Sequence, residues 1–327
     1  MFIPNSNSDF NDAPRKSTQY WELNTGSKIA YTHIKSKTDS IKSTLLYLHG
    51  GPGGYIDDST INVFEDISKK GYDIYLYDQI GCGLSERLAN PKEYTVQRHS
   101  DDLNEILITV KSKNTTLIGQ SWGGFLASYF AADHPESIDQ IILTSPGGIK
   151  PADSLLAEKY EPNLIKGLTN IDDRINRINE KIETNMTLKE KLWVAIGSVT
   201  GNSTIISDNK VDGVLHNISK IFAPGMVCDT TNVPEQKGRP GMFCSMFTNK
   251  SYKNVPADIR TKIKTFKNPV LILKAECDYL PWQEAYEYKE LFPDAEFKVI
   301  KNAGHSIYAE NRTDYISEIV SFLEKAK

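Results

Sequence analysis

The sequence predicts an α/β protein in which a mostly parallel sheet flanked by helices is interrupted once by a helical insertion. Two observations carry this expectation. Short apolar runs alternate with longer amphipathic ones, the pattern of repeated βα units. The alternation then stops between about residues 147 and 268, where helix-like spacing continues and strand-like runs become scarce. At 327 residues the chain is long enough for one large α/β domain carrying an insertion, or for two average domains.

The elements follow in order. YWELNTGSKIAYTHIK reads as an antiparallel hairpin turning at Asn24-Thr25-Gly26. Strands are expected at Thr44–His49, Asp73–Tyr77, Thr115–Ile118, Gln140–Thr144, Val270–Lys274 and Glu296–Ile300. Helices are expected at Ile61–Lys69, Val96–Val110, Trp122–Asp133, Glu284–Leu291 and Asp314–Lys325. SPGGIKP marks the exit from a strand, and IDDRINRINEKIETNMTLKEKLWVAI beyond it is helical in spacing. The chain thus divides into a first core part at 1–147, a helical insertion at 148–267 and a second core part at 268–327.

Composition narrows the function classes. The 38 basic and 42 acidic residues leave a formal net charge of -4, with no lysine or arginine run of the kind that tracks a phosphate backbone. Nucleic acid is therefore not an expected partner. The N-terminal MFIPNSNSDFNDAPRKSTQ lacks a positive start followed by an apolar stretch, and no segment approaches the roughly 18 to 20 consecutive apolar residues of a membrane span. A soluble, cytoplasmic protein is expected. The four cysteines fit neither a disulfide framework nor a common zinc spacing. Free thiols are expected, with Cys228–Cys244 as the alternative pairing because both lie in one loop-rich region.

Chemistry concentrates around one serine. Gly119-Gln120-Ser121-Trp122-Gly123 fits the nucleophile-elbow pattern G-x-S-x-G in the required context of strand, sharp turn and helix. There the hydroxyl stands clear of the sheet, and the Trp122 amide at the helix N-terminus can donate to a developing oxyanion. The loop His49-Gly50-Gly51-Pro52-Gly53-Gly54 follows an earlier strand, where an elbow enzyme finds its second oxyanion donor; the Gly51 amide is the candidate. A phosphate-cradling loop would need G-x-G-x-x-G or a P-loop lysine, and both are missing.

The base and its orienting acid should follow in chain order. Of the six histidines, His305 alone comes after the last expected strand, beside Gly304 in KNAGHSIYAEN. The acid belongs on the loop after PVLILK, where Glu276 and Asp278 both lie; Asp278, further into the loop and followed by Pro281, is the choice.

With these residues placed, the chain resembles the α/β-hydrolase superfamily and, within it, the proline iminopeptidase (prolyl aminopeptidase) family of serine peptidases. The resemblance rests on HGGPGG at 49–54, YDQIGCGLS at 77–85, GQSWGG at 119–124, AECD at 275–278 and AGHS at 303–306. These span almost all of the core and leave the insertion uncovered. HGGPG combined with DQ-x-G-C-G-x-S is the family-specific part; the elbow and the histidine loop occur throughout the superfamily.

The resemblance implies an α/β-hydrolase fold with about eight strands and a mostly helical cap between core strands 6 and 7. It implies Ser121 as nucleophile, Asp278 as acid, His305 as base and the Gly51 and Trp122 amides as oxyanion hole, with neither metal nor organic cofactor. In aminopeptidases of this type cap carboxylates bind the substrate's free α-amino group; Glu158, Glu161, Glu180, Glu183, Glu190 and Glu235 are the candidates here, and no motif singles one out. Two departures bear on substrate: Ile80 stands where the family usually has arginine, and Gln120 where it commonly has glycine.

The expected activity is release of N-terminal proline or a small apolar residue from short peptides or aminoacyl amides. An ester, lactone or small-amide hydrolase with a cap lined for an apolar acyl group is the alternative. A ligand-binding protein that keeps the scaffold without turnover is a third reading.

Overall fold

A computed structural model describes residues 10, 12–38, 40–153, 155–160 and 171–325. Eight strands form one sheet: β1 (Thr18–Glu22), β2 (Lys28–Ile34), β3 (Ser43–Leu48), β4 (Tyr72–Tyr77), β5 (Thr115–Gln120), β6 (Gln140–Thr144), β7 (Val270–Ala275) and β8 (Ala295–Ile300). Their order is β1-β2-β4-β3-β5-β6-β7-β8. The pairings of β2 with β1 and β4 are antiparallel and all others parallel. The first two strands are the expected hairpin. Its turn is closed by Gly26 N donating to Leu23 O and Leu23 N to Ser27 O, both at 2.9 Å, and Gly26 has φ 83°, which suits glycine.

The central strands are buried on both faces, so they read as continuous apolar runs instead of alternating ones. The period-2 geometry sends neighbours to opposite layers: Leu46 and Leu48 join one apolar cluster, Leu45 and Tyr47 the other. Helices α1 (Asp58–Ser68) and α12 (Arg312–Lys325) cover the second layer with Phe64, Ile67, Tyr315 and Ile319. Helices α2 (Val96–Val110) and α3 (Trp122–Asp133) cover the first with Leu103, Ile106, Phe125 and Phe130.

Between β6 and β7 the described residues contain helices and no strand: α4 (Leu156–Lys159), α5 (Asp172–Asn185), α6 (Leu188–Thr200), α7 (Asp208–Phe222), α8 (Met242–Tyr252) and α9 (Ile259–Ile263). These helices make up the cap segment between β6 and β7. Helix α10 (Trp282–Leu291) and the short α11 (Ile307–Glu310) complete the second core part. Among the described residues no helix is long and apolar enough to cross a membrane.

Candidate active site

Ser121 occupies the turn between β5 and α3 with φ 53° and ψ -120°, a left-handed conformation that costs a non-glycine residue about 1–3 kcal/mol. The turn is over-determined by its hydrogen bonds. Ser121 N donates to Thr144 O at 3.0 Å, and Gly124 N and Gly147 N both donate to Ser121 O at 2.9 Å. Packing explains the flanking glycines. A Cβ on Gly119 would lie 2.3 Å from Gly123 O, and one on Gly123 would lie 2.1 Å from Leu48 O. Strand and helix approach more closely here than side chains allow.

The glycine loop after β3 passes directly over the serine: a Cβ on Gly50 would sit 3.1 Å from Ser121 Cβ. His49 supports that loop from beneath. Its Nε2 accepts from Gln79 N at 2.9 Å, which places the ring proton on Nδ1, facing Gly50 O at 2.8 Å. Burial lowers the His49 pKa to about 4, consistent with this neutral tautomer. Gln79 also donates through Nε2 to His49 O at 3.0 Å and accepts from Trp122 Nε1 at 2.9 Å. One side chain thus ties the glycine loop to the first residue of α3. The Gly51 and Trp122 amides donate no backbone hydrogen bond among the described residues.

Asp78, next to Gln79, accepts from Ile56 N at 2.7 Å and Leu84 N at 2.8 Å, and burial raises its pKa to about 6. The DQIGCG stretch is therefore the brace of the glycine loop. In the sequence this stretch carries the family resemblance alone, and the coupling of Gln79 to Trp122 has no local signal.

His305 and Asp278 come together on the loops after β8 and β7. His305 Nδ1 lies 2.8 Å from Asp278 Oδ1, with side-chain exposures of 3% and 0%. Burial pushes the Asp278 carboxyl upward, but the Lys274 ammonium, 2.7 Å from Oδ2, and His305 outweigh it and hold the group well below the usual carboxylate range. An ionised Asp278 accepts the Nδ1 proton and leaves His305 Nε2 as a proton acceptor. Glu276, the other carboxylate considered, accepts from Asn302 N at 2.7 Å instead. The histidine loop is tied to the cap: His305 N donates to Met226 O at 2.8 Å, and Glu310 accepts from Gly304 N at 2.6 Å and Cys228 N at 2.8 Å. The Tyr279 ring packs against His305 with centroids 4.6 Å apart.

Ser121 and His305 line one cavity of about 350 Å³. Its cap wall is Leu215, Ile218, Ser219 and Phe222 from α7, and Pro234, Gln236 and Pro240 bring the 228–244 loop over the site. Of the cap carboxylates, the structure brings none of the described ones here. Glu158, Glu180 and Glu183 are exposed; Glu190 closes a capping box with Thr187 at the start of α6; Glu235 pairs with Lys237 at 2.9 Å in the surface loop. Glu161 lies outside the described residues. The reason is that the apolar face of α7 turns toward the serine, while the glutamates lie on exposed helix faces and caps. Asp57 is the one carboxylate among the described lining residues, and it already caps α1 by accepting from Thr60 N at 2.7 Å.

Both departures from the family pattern have defined places. Gln120 lines the cavity, accepts from the Tyr47 hydroxyl at 2.7 Å and donates to Ser306 Oγ at 3.1 Å. Ile80 is fully buried in the first apolar layer.

The cysteine expectation needs correction. Cys228 is bonded to Cys277, so it is neither a free thiol nor Cys244's partner; Cys82 and Cys244 are free and buried, with sulfurs 3.3 Å apart. Sharing a loop misled because Cys244 enters α8 and packs toward the core, whereas Cys228 faces the loop after β7. Cys228, Cys277 and Glu276 form the one group with metal-ligand spacing among the described residues. With the sulfurs joined and Glu276 bonded to Asn302 N, the group holds no thiolate pair for an ion.

Comparison with known proteins agrees with the geometry. The alpha/beta hydrolase fold family model matches residues 43–186. A proline iminopeptidase of Heyndrickxia coagulans is 24% identical over 279 residues, covering 85% of this chain and 90% of that protein. One of Flavobacterium johnsoniae is 27% identical over 298 residues, covering 89% and 92%. The crystal structure of a Mycobacterium smegmatis proline iminopeptidase matches the fold with a TM-score of 0.60 at 17% identity, over 95% of this chain and 98% of that one. Sheet order and the family match over residues 43–186 show an α/β-hydrolase fold, and the chain is a serine hydrolase similar in sequence to proline iminopeptidases.

Proposed function

We propose that the chain transfers a small apolar acyl group to Ser121, and that its substrates are aminoacyl amides or short peptides beginning with proline or another small apolar residue. The observation that carries the acyl-transfer reading is that His305, paired with the buried Asp278, lines one cavity with Ser121 and the glycine loop.

In this reading His305 Nε2 takes the Ser121 proton as Oγ attacks the substrate carbonyl carbon. The Gly51 and Trp122 amides hold the resulting oxyanion. As the tetrahedral intermediate collapses, the bond to the leaving nitrogen breaks and His305 returns the proton to it. Water, deprotonated by the same nitrogen, then releases the acyl group and regenerates Ser121. Asp278 keeps the His305 proton on Nδ1 and stabilises the imidazolium.

The aminoacyl part of the proposal is supported by the proline iminopeptidase relatives and by the apolar α7 wall. One observation favours the alternative of an ester, lactone or small-amide substrate: the described cap glutamates all lie away from the cavity. Rates on prolyl and alanyl anilides, their N-acetylated forms and simple acyl esters decide between them. Loss of cleavage on N-acetylation supports the aminopeptidase. Equal rates on free and acetylated amides, or ester cleavage alone, assign the alternative.

A further inference from the structure

Lys274 is a buried charge in contact with Asp278 that the reaction above does not use. It stands near the end of β7, between Leu273 and Ala275, and its side chain is 1% exposed. Burying an ammonium carries a large desolvation penalty, and an apolar pair in the same space would serve stability as well. The hydrogen bonds of Lys274 show where its charge is directed. Nζ donates to Asp278 Oδ2 at 2.7 Å and to Leu280 O at 2.8 Å. Asp278 Oδ1 faces His305 Nδ1 at 2.8 Å and accepts from Leu280 N at 3.0 Å. The carboxylate is thus gripped at both oxygens, and swinging it away from His305 would break contacts on each.

We propose that Lys274 is a positioning residue for acyl transfer: it aims Asp278 Oδ1 at His305, and its charge offsets part of the field that the carboxylate exerts on the imidazolium. The inference rests on the Ser121–His305–Asp278 reading. The other titratable groups nearby are few. The loop after β7 contributes Tyr279, whose phenol burial keeps un-ionised. Helix α10 contributes Glu284, salt-bridged to Lys150 at 3.3 Å. Glu276 is turned to Asn302 and Glu310 to the amides of Gly304, Cys228 and Asp229. Cap helix α7 presents the uncharged ring of Phe222 to Tyr279. Lys274 is the cation of this group that touches Asp278.

The sign of the effect follows. Without Lys274 the negative charge of the carboxylate is no longer offset, so the acid limb of the rate profile is expected to move up by about one pH unit. Turnover falls because the carboxylate loses its anchor. KM stays near wild type because Lys274 is not among the residues lining the cavity.

The test is hydrolysis of p-nitrophenyl acetate from pH 5 to 9 by wild type, Lys274→Met, Asp278→Asn and the double variant Lys274→Met/Asp278→Asn, with Ser121→Ala as control. Lys274→Met is expected to lower kcat about 10- to 100-fold, leave KM within threefold and raise the acid limb. The double variant buries no unpaired charge and remains testable if Lys274→Met fails to fold; its acid limb is expected about one unit above that of Asp278→Asn. Unshifted limbs in these comparisons overturn the proposal even if stability changes. Undiminished turnover by Ser121→Ala instead overturns the reading of the site on which the proposal stands.

Discussion

Gln120 joins the nucleophile strand to the histidine loop, its amide nitrogen donating to Ser306 Oγ at 3.1 Å from the position just before Ser121 to the one just after His305. Gln120 is therefore a strut between the Ser121 and His305 loops. Gln120→Gly removes the strut and the acceptor of the Tyr47 hydroxyl. The variant is expected to lose about 1–2 kcal/mol of stability and about tenfold in kcat. Urea unfolding and steady-state kinetics on one preparation check both, and lost stability with unchanged kcat would reduce the strut to a structural role.

The glycine loop leaves little room for a side chain above Ser121. In Gly50→Ala the new methyl would meet Ser121 Cβ at 3.1 Å, so loop or serine must shift by a few tenths of an ångström. The protein is expected to fold while kcat falls about 10- to 100-fold, since small misplacements at the reacting atoms are costly. Wild-type turnover in Gly50→Ala would mean that the loop does not constrain Ser121.

Two buried carboxyls give stability opposite pH slopes. Asp278 is depressed in the fold, so its contribution is full above its unfolded value of about 3.9 and is lost as pH falls below it. Asp78 is raised to about 6, so its contribution is full below its unfolded value and is lost as pH rises through about 6. Urea midpoints between pH 3 and 7 test this. Asp278→Asn is expected to flatten the loss below about pH 4, and Asp78→Asn the decline between about pH 4 and 6. Slopes unchanged from wild type would contradict the assignments.

The Cys228–Cys277 bond ties the cap loop to the residue beside Asp278. Denatured, unreduced protein should titrate the two free thiols of Cys82 and Cys244, and Cys228→Ser should lower stability by about 2–4 kcal/mol. Four thiols without reductant would contradict the bond.

The core was legible because its physics is local. A central parallel strand must be apolar on both faces, so β6 and the helices α2 and α3 have the bounds read from the sequence. The site was legible where a motif encodes backbone geometry, as G-x-S-x-G does at Ser121. Side-chain aim in the cap was not. Helical spacing shows that glutamates lie on α5 and α6 but not which cap helix faces the cavity, and α7 does so with Leu215, Ile218 and Phe222. By sequence Lys274 is only the last residue of an expected strand, because nothing in PVLILK shows that its ammonium folds back onto a carboxylate four residues later. The Cys228–Cys277 pair, 49 residues apart, depends on the cap meeting the loop after β7, which only tertiary structure defines.

The most direct test of the central claim is intact-mass and peptide analysis after treatment with a fluorophosphonate, run beside hydrolysis assays of wild type and Ser121→Ala. The account predicts one covalent adduct, on Ser121, in wild type, with no adduct and turnover reduced by several orders of magnitude in Ser121→Ala. Label-free, folded wild-type protein, or near wild-type turnover by Ser121→Ala, would contradict it.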